Sequence, residues 1–307
     1  MRLPVGPIRG LFTFLLIALN TLLCCLPLFA VALLKLAIPV EGWRQLTSRW
    51  LVVIAEQWIA NNTAIFRHTQ SITWRVSGLE GLERSRWYLV VANHRSWVDI
   101  FAVQAVLNRR IPFLKFFVKK QLIWVPVMGL AWWALDMPFM QRHSKAYLEK
   151  YPEKRGQDLE TTRRACEHFR KIPTSVINFV EGTRFTPAKQ AASQSPYRHL
   201  LPPRAGGVAF VLGAMGELFQ SLVDVTLAYP KGEGGMWALC CGHVREIVVD
   251  VHVCAIEPWL IEGDYANDPA FRERFQQWLT ELWRAKDARL SAQAGAARPV
   301  PAVTGAA

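Results

Sequence analysis

The sequence predicts an α/β fold, a mixed sheet flanked by helices, with an N-terminal helical segment that anchors the chain in a membrane. Three observations carry this. Short runs rich in β-branched and aromatic residues, at 87–92, 175–180, 222–229 and 246–253, alternate with helix-periodic stretches, as when a sheet is layered against helices. Residues 11–34 are almost wholly apolar and exceed the ~20 residues that a membrane-crossing helix needs. Hydrophobic residues make up 51% of the 307, enough for one large core. The chain divides into a membrane-associated helical segment at 1–68, a folded body at 69–290, and a disordered tail rich in Ala, Pro and Gly at 291–307.

The first apolar run continues to Pro39 and is interrupted by Asn20, Pro27 and Lys35. A single span would have Arg2 and Arg9 on one side and Lys35, Arg44 and Arg49 on the other, which leaves little positive-inside bias. A hairpin bent at Pro27, with both ends on one side, is the other arrangement. A cleaved signal peptide competes with both, because Ala30-Val31-Ala32 resembles a cleavage site, but signal h-regions run to only about 7–15 residues. Trp50, Ile54 and Trp58 then share one helical face, which suits an aromatic edge at headgroup level and equally an amphipathic core helix.

A second apolar stretch, 122–139, carries Trp124, Trp132 and Trp133 but is broken by Pro126, Gly129, Asp136 and Pro138, which argues against a straight spanning helix. Residues 157–171 read as a helix with a basic face of Arg163, Arg164, Arg170 and Lys171. Residues 187–203 read as a long surface loop. From 268 to about 290 an amphipathic helix is expected, with Phe271, Phe275, Trp278, Leu279 and Leu282 on its apolar side.

The net charge of +12 would attract nucleic acid, anionic lipid or phosphate-rich substrates alike, and no nucleic-acid motif is recognisable. With a membrane anchor, anionic headgroups and substrate phosphates are the natural partners. The six cysteines show no metal-ligand spacing, so neither a zinc site nor a disulfide framework is expected.

Chemistry concentrates at two strand ends. Asn93-His94-Arg95-Ser96-Trp97-Val98-Asp99 follows the first strand, and Glu181-Gly182-Thr183-Arg184 closes the strand at 175–180. Ser96 and Asp99 fit a capping box, so a helix should start at Ser96. Residues five apart on one helix point roughly 140° apart, but a loop histidine can fold back onto a carboxylate in the first helical turn. Asp99 would then accept the proton on one ring nitrogen of His94 and leave the other as base. The plain alternative is a loop histidine beside a helix N-terminal charge.

His94-x-x-x-x-Asp99 followed by Phe179-Val180-Glu181-Gly182-Thr183-Arg184, in this order and separation, resembles the lysophospholipid acyltransferase family, which includes the 1-acylglycerol-3-phosphate acyltransferases. Lys119-Lys120-Gln121-Leu122 and Phe139-Met140-Gln141-Arg142 resemble the family's middle block, and Arg204 stands where members often carry a basic residue. The resemblance implies the glycerolipid acyltransferase fold, His94 and Asp99 as the catalytic pair, and Glu181, Gly182, Thr183, Arg184, Arg142, Lys119 and Lys120 as residues that bind the acceptor. It implies no cofactor, an acyl-CoA or acyl-carrier protein donor, a lysophospholipid acceptor, and a place at the bacterial inner membrane with the site facing the cytoplasm. Three positions depart from the pattern: Val180 and Asp224 stand where proline is usual, and Phe185 where serine is usual.

Overall fold

The computed structural model describes residues 5–140, 167–232, 234–265 and 267–296. Its strands are β1 (Thr73–Ser77), β2 (Tyr88–Ala92), β3 (Leu114–Phe116), β4 (Val118–Lys119), β5 (Phe139–Met140), β6 (Ser175–Phe179), β7 (Ser221–Ala228) and β8 (Glu246–Cys254). Six of them form one sheet in the order β1-β8-β7-β2-β6-β3, parallel except for the antiparallel β7–β8 pair, while β4 and β5 form a separate ladder. This is the mixed sheet expected. β2, at the centre, is buried along its whole length. That explains its unbroken apolar run, because a central parallel strand has no solvent face.

Helices α1 (Val5–Ala37), α2 (Glu41–Thr69), α3 (Val98–Leu107) and α4 (Met128–Ala134) precede β5; α5 (Pro187–Ala192) and α6 (Ala205–Met215) lie between β6 and β7. α7 (Met236–Cys240), α8 (Trp259–Glu262) and α9 (Pro269–Ala296) follow. α3 covers the sheet face formed by Tyr88, Val90 and Ala92. α6 and α9 cover the opposite face, formed by Leu89 and Val91. Phe275, Leu279 and Trp283 of α9 are fully buried there; each contributes about 1.5–3 kcal/mol or more by leaving water.

α1 and α2 form an antiparallel hairpin: Gln70 Nε2 donates to Thr13, Asn20 meets Asn61 and Asn62, and Trp43 Nε1 donates to the Leu34 carbonyl. The bend lies at 38–40, not at Pro27, which α1 passes without a break. Pro27 is exposed. Both ends of α1 are tied to the folded body, Arg9 through the Cys241 carbonyl at 2.6 Å and Lys35 through Asp136 at 2.7 Å. Its outer face remains bare, with Phe12, Leu15, Leu19, Leu22, Leu23, Leu26 and Leu33 all more than half exposed.

Other expectations need correction. α3 starts at Val98 rather than Ser96. Residues 187–203 are not all loop: Thr186 accepts the Lys189 N–H and Pro187 sits in the first turn, which starts α5, while Leu200 and Leu201 are buried. The terminal helix continues to Ala296, six residues into the expected tail, and the rest of the tail lies outside the described residues. At 122–139 the expectation that no straight spanning helix forms agrees with the structure, where positive φ at Val127 (64°) and Asp136 (55°) brackets the short α4. Of the basic helix expected at 157–171, residues up to 166 lie outside the described set and Glu167–Arg170 form a 3₁₀ turn.

Candidate active site

Register brings the two motifs together. Ala92 of β2 lies opposite Phe179 of β6, so His94 and Glu181, each two residues further on, leave the sheet at the same edge. The Asn93 amide continues the sheet past its end, accepting the Leu227 N–H at 2.8 Å and donating to the Leu227 carbonyl at 2.9 Å. The backbone of His94 is thereby held, and its carbonyl accepts the Phe185 N–H, joining the two loops.

His94 Nδ1 lies 2.7 Å from Asp99 Oδ2. Asp99 is fully buried, and Oδ2 also accepts the backbone N–H groups of Arg95 (2.5 Å) and Ser96 (2.8 Å). The last of these is the reach-back half of a capping box, with the Ser96 hydroxyl accepting from Val98 N–H at 2.9 Å. With two backbone N–H groups donating to it, Asp99 Oδ2 acts as an acceptor toward the imidazole as well. It puts the imidazole proton on Nδ1 and leaves the Nε2 lone pair free to act as base. The Phe179 ring stacks on the imidazole, centroids 4.3 Å apart, which limits its rotation.

Two further groups escaped the sequence reading. Tyr229, just beyond β7, donates its hydroxyl to Asp99 Oδ1 at 2.5 Å. Burial and the neighbouring Asp99 raise its pKa well above the ordinary tyrosine value. Nothing local marks Tyr229; only its position at the end of the strand beside β2 could have drawn attention to it. Trp97 lies under the Arg184 guanidinium, 4.8 Å from ring centroid to carbon.

Glu181 points inward. It is buried, accepts the His94 N–H at 3.4 Å and a backbone N–H of Leu201, and its Oε2 has no hydrogen-bond partner among the described residues. Its carboxylate therefore supports the backbone of the His94 loop. Burial, with a smaller contribution from Asp99, pushes its pKa up to about 8. Gly182 turns the chain with φ 67°, and a Cβ there would stand 3.2 Å from Cδ of Arg204. Thr183 accepts from Lys189 at 2.7 Å, which steadies the turn. Arg184 is exposed and pairs with no carboxylate among the described residues. Arg204 and Arg184 thus flank Gly182 with positive charge. Lys119 and Lys120 are exposed beyond the end of β3, at the same sheet edge, with no hydrogen bond or ion pair to the dyad. Arg142 lies outside the described residues.

Asp224 does not face the site. It is fully buried on the α9 side of β7, paired with Lys286 at 2.5 Å and with Arg289. Among the described residues no cluster of His, Cys, Asp or Glu could hold a metal, and the five described cysteines are free.

The sheet thus brings a His–Asp pair and an arginine-flanked glycine turn to one edge, and comparison with known proteins gives the class. The chain belongs to the Acyltransferase family, whose model matches residues 73–229, just over half of the chain. It is 26% identical to the 1-acyl-sn-glycerol-3-phosphate acyltransferase delta of Rattus norvegicus over 254 residues, 78% of this chain and 60% of that protein. It is 28% identical to the 1-acyl-sn-glycerol-3-phosphate acyltransferase 2 of Brassica oleracea over 215 residues, 66% of this chain and 50% of the relative. The chain thus spans only 50–60% of the length of these relatives. The crystal structure of the 1-acyl-sn-glycerophosphate (LPA) acyltransferase PlsC from Thermotoga maritima superposes over 94% of this chain and 98% of that one, with a TM-score of 0.55 and 14% identity. This shared fold includes the mixed sheet, its flanking helices and the N-terminal apolar helix.

Proposed function

We propose that this protein transfers a fatty acyl group from a thioester donor, acyl-CoA or acyl-carrier protein, to the free hydroxyl of a lysophospholipid, with 1-acyl-glycerol-3-phosphate as acceptor and phosphatidic acid as product. The observation that carries the reading is the 2.7 Å His94–Asp99 contact at the sheet edge where the arginine-flanked Gly182 turn also emerges. His94 Nε2 removes the acceptor's hydroxyl proton as that oxygen attacks the thioester carbonyl. Asp99 stabilises the imidazolium, which returns the proton to the departing thiolate as the C–S bond breaks. Arg184 and Arg204 suit the acceptor's phosphate, since guanidinium groups form paired charge-assisted hydrogen bonds to phosphate oxygens. The names of the relatives favour the same acceptor.

The bare face of α1 supports a membrane location. The helix is long and apolar enough to cross a bilayer. Because both its ends are tied to the folded body, it lies along one leaflet, exposed side in lipid, with the catalytic edge on the same, cytoplasmic side. Incubating membranes that carry the wild-type or His94→Ala protein with labelled acyl-CoA and lysophosphatidic acid tests the reading. Labelled phosphatidic acid should form with the wild type and fall by about 10²–10⁴-fold in the variant. Free fatty acid without acylated product would mean a thioesterase, and equal product from both proteins would remove His94 from the mechanism. In the same assay Arg184→Ala should raise the acceptor KM; an unchanged KM would take the phosphate away from Arg184.

A further inference from the structure

We propose that Tyr229 is a positioning residue of this site, holding Oδ1 of Asp99 so that the carboxylate presents Oδ2 to His94 and so that the basicity of the His94–Asp99 pair is moderated. The inference rests on the reading of His94 as the base. Its grounds are geometric. Asp99 is fully buried, and its two oxygens are served separately: Oδ2 by His94 Nδ1 and the N–H groups of Arg95 and Ser96, Oδ1 by the Tyr229 hydroxyl at 2.5 Å. The Ser96 hydroxyl also bonds to the tyrosine oxygen. Val98 N–H, Ser96, Tyr229 and Asp99 therefore form one relay from the α3 N-terminus to the carboxylate. Tyr229 follows β7, which lies beside β2 and across from the helix that carries Asp99, so it couples the pair to the central sheet.

The backbone donors on Oδ2 remain when the phenol is removed, so Asp99 should stay in place while its charge becomes less shared. A carboxylate with fewer donors binds protons more tightly and favours a charged imidazolium beside it. Among the described residues, the charged groups on the elements around the pair include Arg95 on the same loop, Glu181 at the His94 backbone, Arg184 over Trp97, and Arg204 against Gly182. Glu181 titrates near pH 8 in contact with this loop, so its contribution must be separated from that of Tyr229.

The experiment follows the His94 ring resonances by NMR against pH in the detergent-solubilised full chain, in wild type, Tyr229→Phe, Asp99→Asn and Asp99→Asn/Tyr229→Phe. The Tyr229→Phe comparison is repeated in a Glu181→Gln background, and kcat and KM are measured across the same pH range. In Tyr229→Phe the His94 midpoint should rise by about half a pH unit or more. The acid side of the kcat/KM profile should move up with it, kcat should fall several-fold near neutral pH, and the acceptor KM should hold. The rise in midpoint should persist in the Glu181→Gln background and vanish in the Asp99→Asn background. A fall in kcat with the His94 midpoint within roughly 0.2 pH unit of wild type, or an equal rise in the Asp99→Asn background, would overturn the proposal. If the NMR midpoint rises but wild-type protein transfers no acyl group, the coupling stands and the functional reading fails.

Discussion

At the scale of single residues, the site is built from buried polar groups whose bonds are nearly all accounted for, and Glu181 is the exception. Its unpartnered Oε2 and its pKa near 8 share one cause, burial of a carboxyl with too few donors. The folded state therefore keeps a proton that the unfolded chain releases above pH 4.5. Stability from this group is fully present below the unfolded value and is lost as pH rises towards about 8. Glu181→Gln should lack that slope. Denaturant unfolding at pH 5 and at pH 8.5 should show the stability difference moving in favour of the glutamine variant as pH rises, by up to about 1.4 kcal/mol for each pH unit crossed. A difference that is constant with pH would mean that the carboxyl is ionised throughout.

At the scale of elements, the departure at Asp224 has a structural explanation. With Lys286 at 2.5 Å and Arg289 beside it, this buried aspartate pins α9 to β7. Lys286 is fully buried, and burial lowers its pKa although Asp224 opposes the shift. Removing one member leaves the other charge unpaired in the interior, so Asp224→Ala or Lys286→Met should each cost about 3–5 kcal/mol in equilibrium unfolding. The double variant Asp224→Leu/Lys286→Met should recover most of the loss. A double variant as unstable as the worse single one would show that packing, not charge, is what counts. The α1–α2 hairpin is held in register by a different device, the Asn20–Asn61–Asn62 cluster and the Trp58–Thr21 hydrogen bond, since apolar contacts alone tolerate sliding.

At the scale of the whole molecule, the bare face of α1 and the sheet edge that carries His94 belong to one surface problem under the proposed function, in which a soluble thioester would meet a lipid acceptor. Trp124 (86% exposed), Leu130, Trp133 and Trp237 add further exposed apolar groups, more than a freely soluble protein usually shows. Replacing Leu22, Leu26 and Leu33 together by serine should abolish flotation with phospholipid vesicles, since each leucine contributes about 1.5–3 kcal/mol on burial. Circular dichroism should stay unchanged, because all three side chains point away from the core. Flotation at wild-type level would place the membrane contact elsewhere.

The sequence by itself determined what is local or periodic. The apolar runs marked β2, β6, β7, β8 and α9, the 11–34 stretch marked α1, and the spacing of His94 and Asp99 marked a loop-to-helix contact that the structure forms at 2.7 Å. The Thr186-Pro187 helix start was equally local, but the Ser, Gln, Ala and Pro content that follows it masked the signal. What only the tertiary structure decided depends on residues far apart in the chain. The bend at 38–40 instead of Pro27, the inward turn of Glu181, the pairing of Asp224 with Lys286 and the Tyr229–Asp99 bond across 130 positions all follow from which elements became neighbours. Local pattern encodes which face of an element is apolar, whereas strand order, which decides the buried polar partners, is selected by the packing of the whole chain.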